Sequence, residues 1–263
     1  MSHDFNGVLL VDKPSGITSA QVVRAISRML DGNRSGHLGT LDPMATGLLV
    51  VFLGHALKTV PYHIKGRKRY IADIQFGSST DTYDADGQVL ETKDIPTDLQ
   101  NRINKALPKF RGTIQQRPPA YSAVKIQGNR AYSLARRGEE VEVPQREVTF
   151  YNIVPLIRRE SGVVLDVTCS AGTYIRSLAH DLGLKVGSLA HIASLRRVES
   201  HPFSVDNAIP FEAMKLGTVD PSEHILPIEE ALPPLPQIKL SGDDAIRIRH
   251  GKRVFYDAGE LQS

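Results

Sequence analysis

The stretch GHLGTLDPMATGLLVVFLG, residues 36–54, sets a single carboxylate, Asp42, between Leu41 and Pro43 and fences it with Gly36, Gly39 and Gly47. Glycine permits backbone conformations that a Cβ forbids, and Pro43 steers Asp42 away from the helical region. Asp-Pro also opens turns and helices, with Asp as the cap and Pro in the first turn. The stretch closes on LLVVFL, residues 48–53, an apolar run of strand length that reads as buried. Alone, it is a loop feeding a strand. Whether Asp42 does chemistry depends on the rest of the chain.

Upstream, GVLLV (7–11) reads as a short buried strand stopped by a DKPSG turn at 12–16. Thr18 and Gln21 have capping-box spacing, and Val22, Val23, Ile26, Met29 and Leu30 follow at helical intervals, predicting an amphipathic helix over 19–30. Downstream, Ala72, Ile74 and Phe76 alternate within a strand from Tyr70, and DTYDADG (81–87) reads as a turn-rich loop. A second capping-box pattern, Thr97 to Gln100, predicts a helix bearing Leu99, Ile103, Ala106 and Leu107. From Gly112 to Arg146 the chain turns polar and is broken by Pro and Gly, which predicts an extension from the sheet with a short helix near 130–137. A strand pair is expected at 147–157 and 163–169. Ile175, Leu178, Ala179 and Leu182 mark a helix ending near Gly183. Irregular alternation of strands and helices predicts an α+β fold with a mixed sheet. ALPPLP (231–236) reads as a linker.

The 263 residues are 41% hydrophobic and 23% charged, which fits one large domain or one domain plus a small appendage. The one cysteine, Cys169, allows no internal disulfide and lies on the alternating face of an apolar strand, the place of a core residue. MSHDFNGVLL lacks the pattern of a signal peptide, and LLVVFL is far too short to cross a bilayer, so a soluble cytoplasmic protein is expected. The net charge is only +3, but cations cluster in KGRKRY (65–70), in Arg pairs at 136–137, 158–159 and 196–197, and in RIRHGKR (247–253). Cations that converge in space suit phosphate binding. With eight Tyr, eight Phe and no Trp, a broad base-stacking surface is not expected, and an RNA partner would be held by backbone and shape. The chain has no GxGxxG, P-loop, GxSxG, HExxH or paired CxxC, and its nine histidines lack metal-ligand spacing, so neither cofactor nor metal is expected.

Six ordered blocks resemble the bacterial TruB family of tRNA pseudouridine synthases. They are VDKPSGITSAQVV (11–23), RSGHLGTLDPMATGLLVVFLG (34–54), KRYIADIQFGSSTDTYDADG (68–87), RPPAYSAVKIQGNRAYSLARRG (117–138), CSAGTYIRSLAHDLG (169–183) and LRRV…PFS (195–204). The resemblance implies a pseudouridine synthase fold, with a mainly antiparallel sheet flanked by helices and an RNA-binding thumb at about 112–146. It implies isomerisation of uridine to pseudouridine at position 55 in the tRNA T-loop. Asp42 would be the essential carboxylate, as nucleophile or stabiliser of a cationic sugar, and Arg176 its partner. Tyr70 would stack on the target base and relay a proton, Tyr174 and Leu195 would line the uracil pocket, and His37 would help reorganise the T-loop as the nucleotide flips out.

Lys13, Lys58, Lys65, Lys68 and Arg69 are the expected phosphate contacts. The catalytic domain is expected over 1–230. Residues 231–263 resemble the start of a small PUA-like RNA-binding module, in reduced or truncated form. Leu57, Val198 and His201 depart from the family pattern outside the catalytic positions. The expected partner is the tRNA T-arm, bound by a monomer with no guide RNA or protein subunit. Two rivals remain: an RNA-folding protein for which catalysis is secondary, and the catalytic subunit of a guide-RNA complex.

Overall fold

The computed structural model of the chain describes residues 5–122, 124–126, 129–130, 137, 143–232 and 238–255. Its frame is a ten-stranded sheet built from β1 (Gly7–Lys13), β2 (Ser35–Leu38), β3 (Thr46–Leu53), β4 (Lys68–Phe76), β5 (Gly112–Gln116), β6 (Arg146–Arg158), β7 (Gly162–Cys169), β8 (Ala190–Ser200), β9 (Phe203–Ser204) and β10 (Ile209–Pro210). The order is β10-β1-β3-β8-β4-β7-β6-β5, with β2 beside β3 and β9 beside β8. The β10–β1 and β3–β8 pairs are parallel and the other pairs of this sheet antiparallel, so the sheet is mixed and mainly antiparallel, as expected.

Strand alternation divides the apolar residues between two cores. Leu49, Val51 and Leu53 of β3 join Leu9 and Val11 of β1 on the face covered by helices α1 (Ser19–Met29), α2 (Leu99–Ala106) and α3 (Ile175–Val186). Leu48, Val50 and Phe52 point to a second core with Val8, Leu10, Leu38 and Phe203. That is why LLVVFL is apolar without interruption: both of its faces are covered. Towards β4 and β7 the second face carries ion pairs instead, Arg69 with Asp166 at 2.6 Å and Arg159 with Asp73 at 2.7 Å. Among the described residues, no helix is long and apolar enough to cross a membrane.

The α1 capping box forms as its spacing predicts. The Gln21 amide donates to Thr18 Oγ1 (3.2 Å), and the Thr18 amide to Gln21 Oε1 (2.9 Å). Such a cap contributes about 1 kcal/mol. The expected box at Thr97 is corrected. The α2 cap is Asp98 with no side-chain cap bond, because Gln100 Nε2 instead donates to the carbonyls of Arg159 (2.6 Å) and Gly162 (3.1 Å).

Helix α3 runs past Gly183 to Val186 and ends at Gly187, in the left-handed region at φ 84°. Gly183 serves close packing: a Cβ there would lie 2.5 Å from the Ala190 amide nitrogen. The turn expected at 12–16 starts later, since β1 includes Asp12 and Lys13. Gly112–Gln116, expected in the extension, is the sheet's edge strand, paired to Arg146–Phe150. A hairpin, Lys125–Ile126 with Asn129–Arg130, follows within the extension. Beyond Arg130, the short helix expected at 130–137 lies outside the described residues apart from Arg137.

Candidate active site

Asp42 stands in the connection between β2 and β3, and three local devices fix it. Ser19 Oγ, in the first turn of α1, both donates to Leu41 O (3.1 Å) and accepts from the Leu41 amide (2.9 Å). The Asp42 carbonyl accepts the Ala45 amide at 3.1 Å, which closes a tight turn. Gly47, at φ 96°, follows where a Cβ would meet the Arg197 carbonyl oxygen at 2.2 Å. Glycine is required there because β8 runs directly against it, Arg197 pairing with Gly47 in the parallel ladder.

From the other side of the site comes Arg176, in the first turn of α3. Its Nε lies 2.9 Å from Asp42 Oδ2, and its Nη2 donates to Asp42 Oδ1 at 3.0 Å. Nη1 donates to Thr82 O (2.7 Å), Nη2 also to Tyr121 O (3.0 Å), and Asp84 Oδ2 is 3.4 Å from Nη1. The Arg176 side chain is 5% exposed and that of Asp42 is 31% exposed. A guanidinium removed from water needs acceptors, and this one is surrounded by two carboxylates and two carbonyls; Nη1 and Nη2 donate hydrogen bonds, whereas Nε is paired with Asp42 by charge alone. Burial pushes the Asp84 carboxyl up from its ordinary pKa; the Thr82 hydroxyl and Arg176 oppose that shift, and Asp42 reinforces it. The outcome is one carboxylate held against a fixed cation and open to a ligand.

Tyr70 is buried on β4, opposite Arg197 of β8. Burial raises its pKa above the usual phenol value, and the positive charge of the nearby Arg197 guanidinium pulls the other way. Arg197 is 1% exposed; its Nε donates to Leu48 O at 2.8 Å, and Nη2 has no partner among the described residues. Leu195 is buried in the same core as Tyr70. Tyr174 caps α3 and is held through its backbone by Gln116, whose side chain donates to Tyr174 O and accepts its amide, both at 2.9 Å. The Arg146 guanidinium lies 4.6 Å from the Tyr174 ring centre. His37 is half-buried on β2, within 3.2 Å of Thr40 Oγ1, its pKa lowered by burial and then by the Arg197 charge. Burial pushes the Cys169 thiol up to about 12, which suits a core residue.

Two of the expected phosphate contacts are corrected. Lys13 is fully buried, its ammonium donating to the carbonyls of Pro14 (2.8 Å), Ile17 (2.7 Å) and Pro43 (3.1 Å). Burial lowers its pKa to about 8, with Asp42 opposing the shift. Lys13 therefore ties the Asp42 turn from beneath and adds positive potential behind the carboxylate. Lys68 is buried as well, its pKa lowered to about 8 by burial and then by Arg197. Lys58 and Lys65 are exposed, and Arg69 is exposed but forked onto Asp166.

Sequence reasoning missed Arg197 and Asp84 as members of the site. In the sequence Arg197 is only one member of an Arg pair, although it stands two residues beyond buried Leu195, on the parity of the core face. Asp84 was hidden in a loop whose composition only announces turns. Among the described residues, no group of three or more His, Cys, Asp or Glu is arranged to hold a metal ion.

The family model described as TruB family pseudouridylate synthase, N-terminal domain, matches residues 27–175, and that described as tRNA pseudouridylate synthase B C-terminal domain matches 176–233. Their junction falls inside α3, and β8 lies between β3 and β4, so the sheet draws on both matched regions. The chain is 43% identical over 264 aligned residues to tRNA pseudouridine synthase B of Ruegeria pomeroyi, covering 99% of this chain and 86% of that protein. It is 42% identical to the protein of the same name from Chromohalobacter salexigens, covering 97% and 84%. Among solved structures it is similar to a chain of a Cbf5–Nop10–Gar1 complex (TM-score 0.70, 30% identity, 95% of this chain and 68% of that one). It is also similar to a chain of the archaeal box H/ACA sRNP Nop10–Cbf5 complex (TM-score 0.67, 29% identity, 96% and 69%). A match over more than half the chain, with relatives this similar along nearly all of it, establishes that the protein belongs to the TruB family of pseudouridylate synthases.

Proposed function

We propose that this protein isomerises uridine to pseudouridine at position 55 in the T-loop of tRNA, acting in the cytoplasm as a monomer without guide RNA, protein subunit, cofactor or metal. The observation that carries the reading is the two-point contact of Arg176 with Asp42, with the arginine sealed and the carboxylate one-third exposed.

The reaction breaks the bond from C1′ to N1, turns the base, joins C1′ to C5 and moves the C5 proton away while N1 gains one, so no external reactant is consumed. Asp42 is the group acting on the nucleotide, at the sugar C1′ or the base C6, with Arg176 paired to its carboxylate and Lys13 holding its turn from behind. Tyr70, kept a phenol, borders the base and passes the proton. Tyr174 and Leu195 line the uracil pocket, and His37 meets the T-loop as the nucleotide leaves its stack. The exposed Lys58 and Lys65, with Arg69 released from Asp166, contact phosphates. Residues 1–230 form the catalytic domain, including the RNA-binding extension at about 112–146, and the segment from 231 adds phosphate contacts. Its described helix, α4 (Gly242–Arg249), buries no residue and carries Arg247 and Arg249 in its last turn.

The test is incubation of unmodified tRNA with purified protein and with Asp42→Asn in the presence of a magnesium chelator, followed by position-specific mapping of pseudouridine. Conversion confined to the T-loop uridine by the wild type, with binding but no conversion by the variant, is the expected result. Equal reaction by both, or binding without reaction by both, would replace catalysis with RNA folding as the protein's role.

A further inference from the structure

Two of the acceptors around Arg176 come from the loop 80–87, and its backbone is tied firmly to β8. The Ile192 amide donates to Tyr83 O (3.0 Å), the Ala85 amide to Ile192 O (2.9 Å), and Thr80 Oγ1 closes the loop on Asp84 O (2.7 Å). The acceptors flank Tyr83: Thr82 O receives Arg176 Nη1, and Asp84 Oδ2 lies beside the same nitrogen. Tyr83 itself adopts φ 63°, where a side chain is strained and glycine is not.

The Tyr83 ring lies flat on His180, with centroids 4.1 Å apart and planes 9° from parallel. His180 follows Arg176 by four residues along α3, so both side chains stand on one helix face. The same loop is thus tied to the same face twice, once by the guanidinium and once by the stacked rings. Glycine or asparagine would make this turn at less cost; what tyrosine adds is the ring. Backbone strain persists where surrounding contacts over-determine it, and a stacked aromatic pair supplies such a contact.

We propose that the Tyr83–His180 stack is a positioning clamp that holds the 81–87 loop against α3 and so keeps Arg176 oriented on Asp42. The clamp acts through the orientation of Arg176. With the clamp released, Thr82 O and Asp84 drift from Nη1, the guanidinium rotates, and the carboxylate loses its fixed direction. A displacement of about 1 Å in a catalytic group costs rate on the order of 10²-fold. The proposal rests on the isomerase reading, and its test separates the two.

The experiment is single-turnover conversion of unmodified tRNA, with tRNA Kd measured in parallel, for wild type, Tyr83→Gly, Tyr83→Phe, His180→Ala, His180→Phe and the Tyr83→Gly/His180→Ala pair. Tyr83→Gly removes the ring and also relieves the backbone strain, so a purely conformational role predicts no loss. The clamp predicts a rate lower by about tenfold with Kd within about twofold. Tyr83→Phe and His180→Phe recover most of the rate, and the pair is no slower than the slower single variant.

A Gly variant at the wild-type rate, a loss confined to Kd, or failure of both Phe variants to recover would overturn the clamp. Should Tyr83→Gly fail to fold by circular dichroism, His180→Ala against His180→Phe, both on an already formed helix, decides by the same criterion. An inactive wild type overturns the isomerase reading and the clamp together; an active wild type with unaffected variants overturns the clamp alone.

Discussion

Arg176 meets Asp42 edge to edge, nitrogen to oxygen at 2.9 and 3.0 Å, yet the two partners are unequally buried: the arginine side chain is 5% exposed and the aspartate 31%. A pair of this kind does little for net stability, because removing a guanidinium from water offsets most of the Coulombic gain. What it does well is hold a carboxylate in one orientation at an open surface. The further acceptors of Arg176, at Thr82, Asp84 and Tyr121, anchor the cation on edges that Asp42 does not use.

Asp42→Asn preserves shape and removes the charge. Turnover of tRNA should fall by about 10⁴-fold while tRNA affinity stays within about threefold. Single-turnover assays with filter binding read both quantities. A rate within tenfold of wild type would remove Asp42 from the chemistry.

Arg176→Ala should lower stability by about 3 kcal/mol, the lower end for breaking a buried pair because Asp42 is partly solvated. The melting temperature should then drop by about 6–12 °C. Much of that loss comes from stranding buried Asp84, whose pKa is already raised by burial. Adding Asp84→Asn to Arg176→Ala should therefore recover melting temperature without recovering activity. Calorimetry of the two variants checks the first half and the turnover assay the second.

Lys58 and Lys65 are exposed, whereas Lys13 and Lys68 are buried. Lys58→Gln and Lys65→Gln should each reduce the slope of log affinity for tRNA against log salt by about 0.7–0.9, with the single-turnover rate at saturation unchanged. Affinity titrations across salt concentrations provide the slopes. An unaltered slope for both would place the phosphate contacts elsewhere.

His63 is buried between Phe52 and Phe203, with ring centroids 5.3 and 5.5 Å away and both ring nitrogens without partners among the described residues. Burial, and then the Lys68 charge, lower its pKa below the ordinary 6.5. Between the folded value and 6.5, the unfolded chain binds more protons than the folded one, so stability rises with pH through that window. It is lost as pH falls below 6.5. His63→Phe should flatten this dependence and leave stability at neutral pH equal or higher. Urea unfolding from pH 5 to 8 measures it, although His37 and His180, also lowered, leave a residual slope.

Features that depend on neighbours within a few residues were legible in the chain itself. Thr18 and Gln21 cap α1 because both partners lie in one helical turn. Val163, Leu165 and Val167 face the core because strand geometry repeats every two residues. The Asp42 stretch and the blocks around it carried the family resemblance. Where prediction failed, a distant partner had changed the outcome: Gln100 left its own helix cap for the Arg159 and Gly162 carbonyls, and α3 ran through Gly183 because Ala190 comes too close for a side chain.

The sequence by itself determined most of the elements and the family, and it singled out Asp42 as the candidate carboxylate. Only the tertiary structure decided the environment of the charges, because burying a charge depends on partners that the fold brings in from afar. Asp42 and Arg176 are 134 residues apart in the chain, and Arg176 and Thr82 are 94 apart. From the sequence, Lys13 and Lys68 are expected phosphate contacts and Arg197 is one member of an Arg pair. The sheet placed all three in the interior around the candidate site, where carbonyl groups bind Lys13 and Arg197.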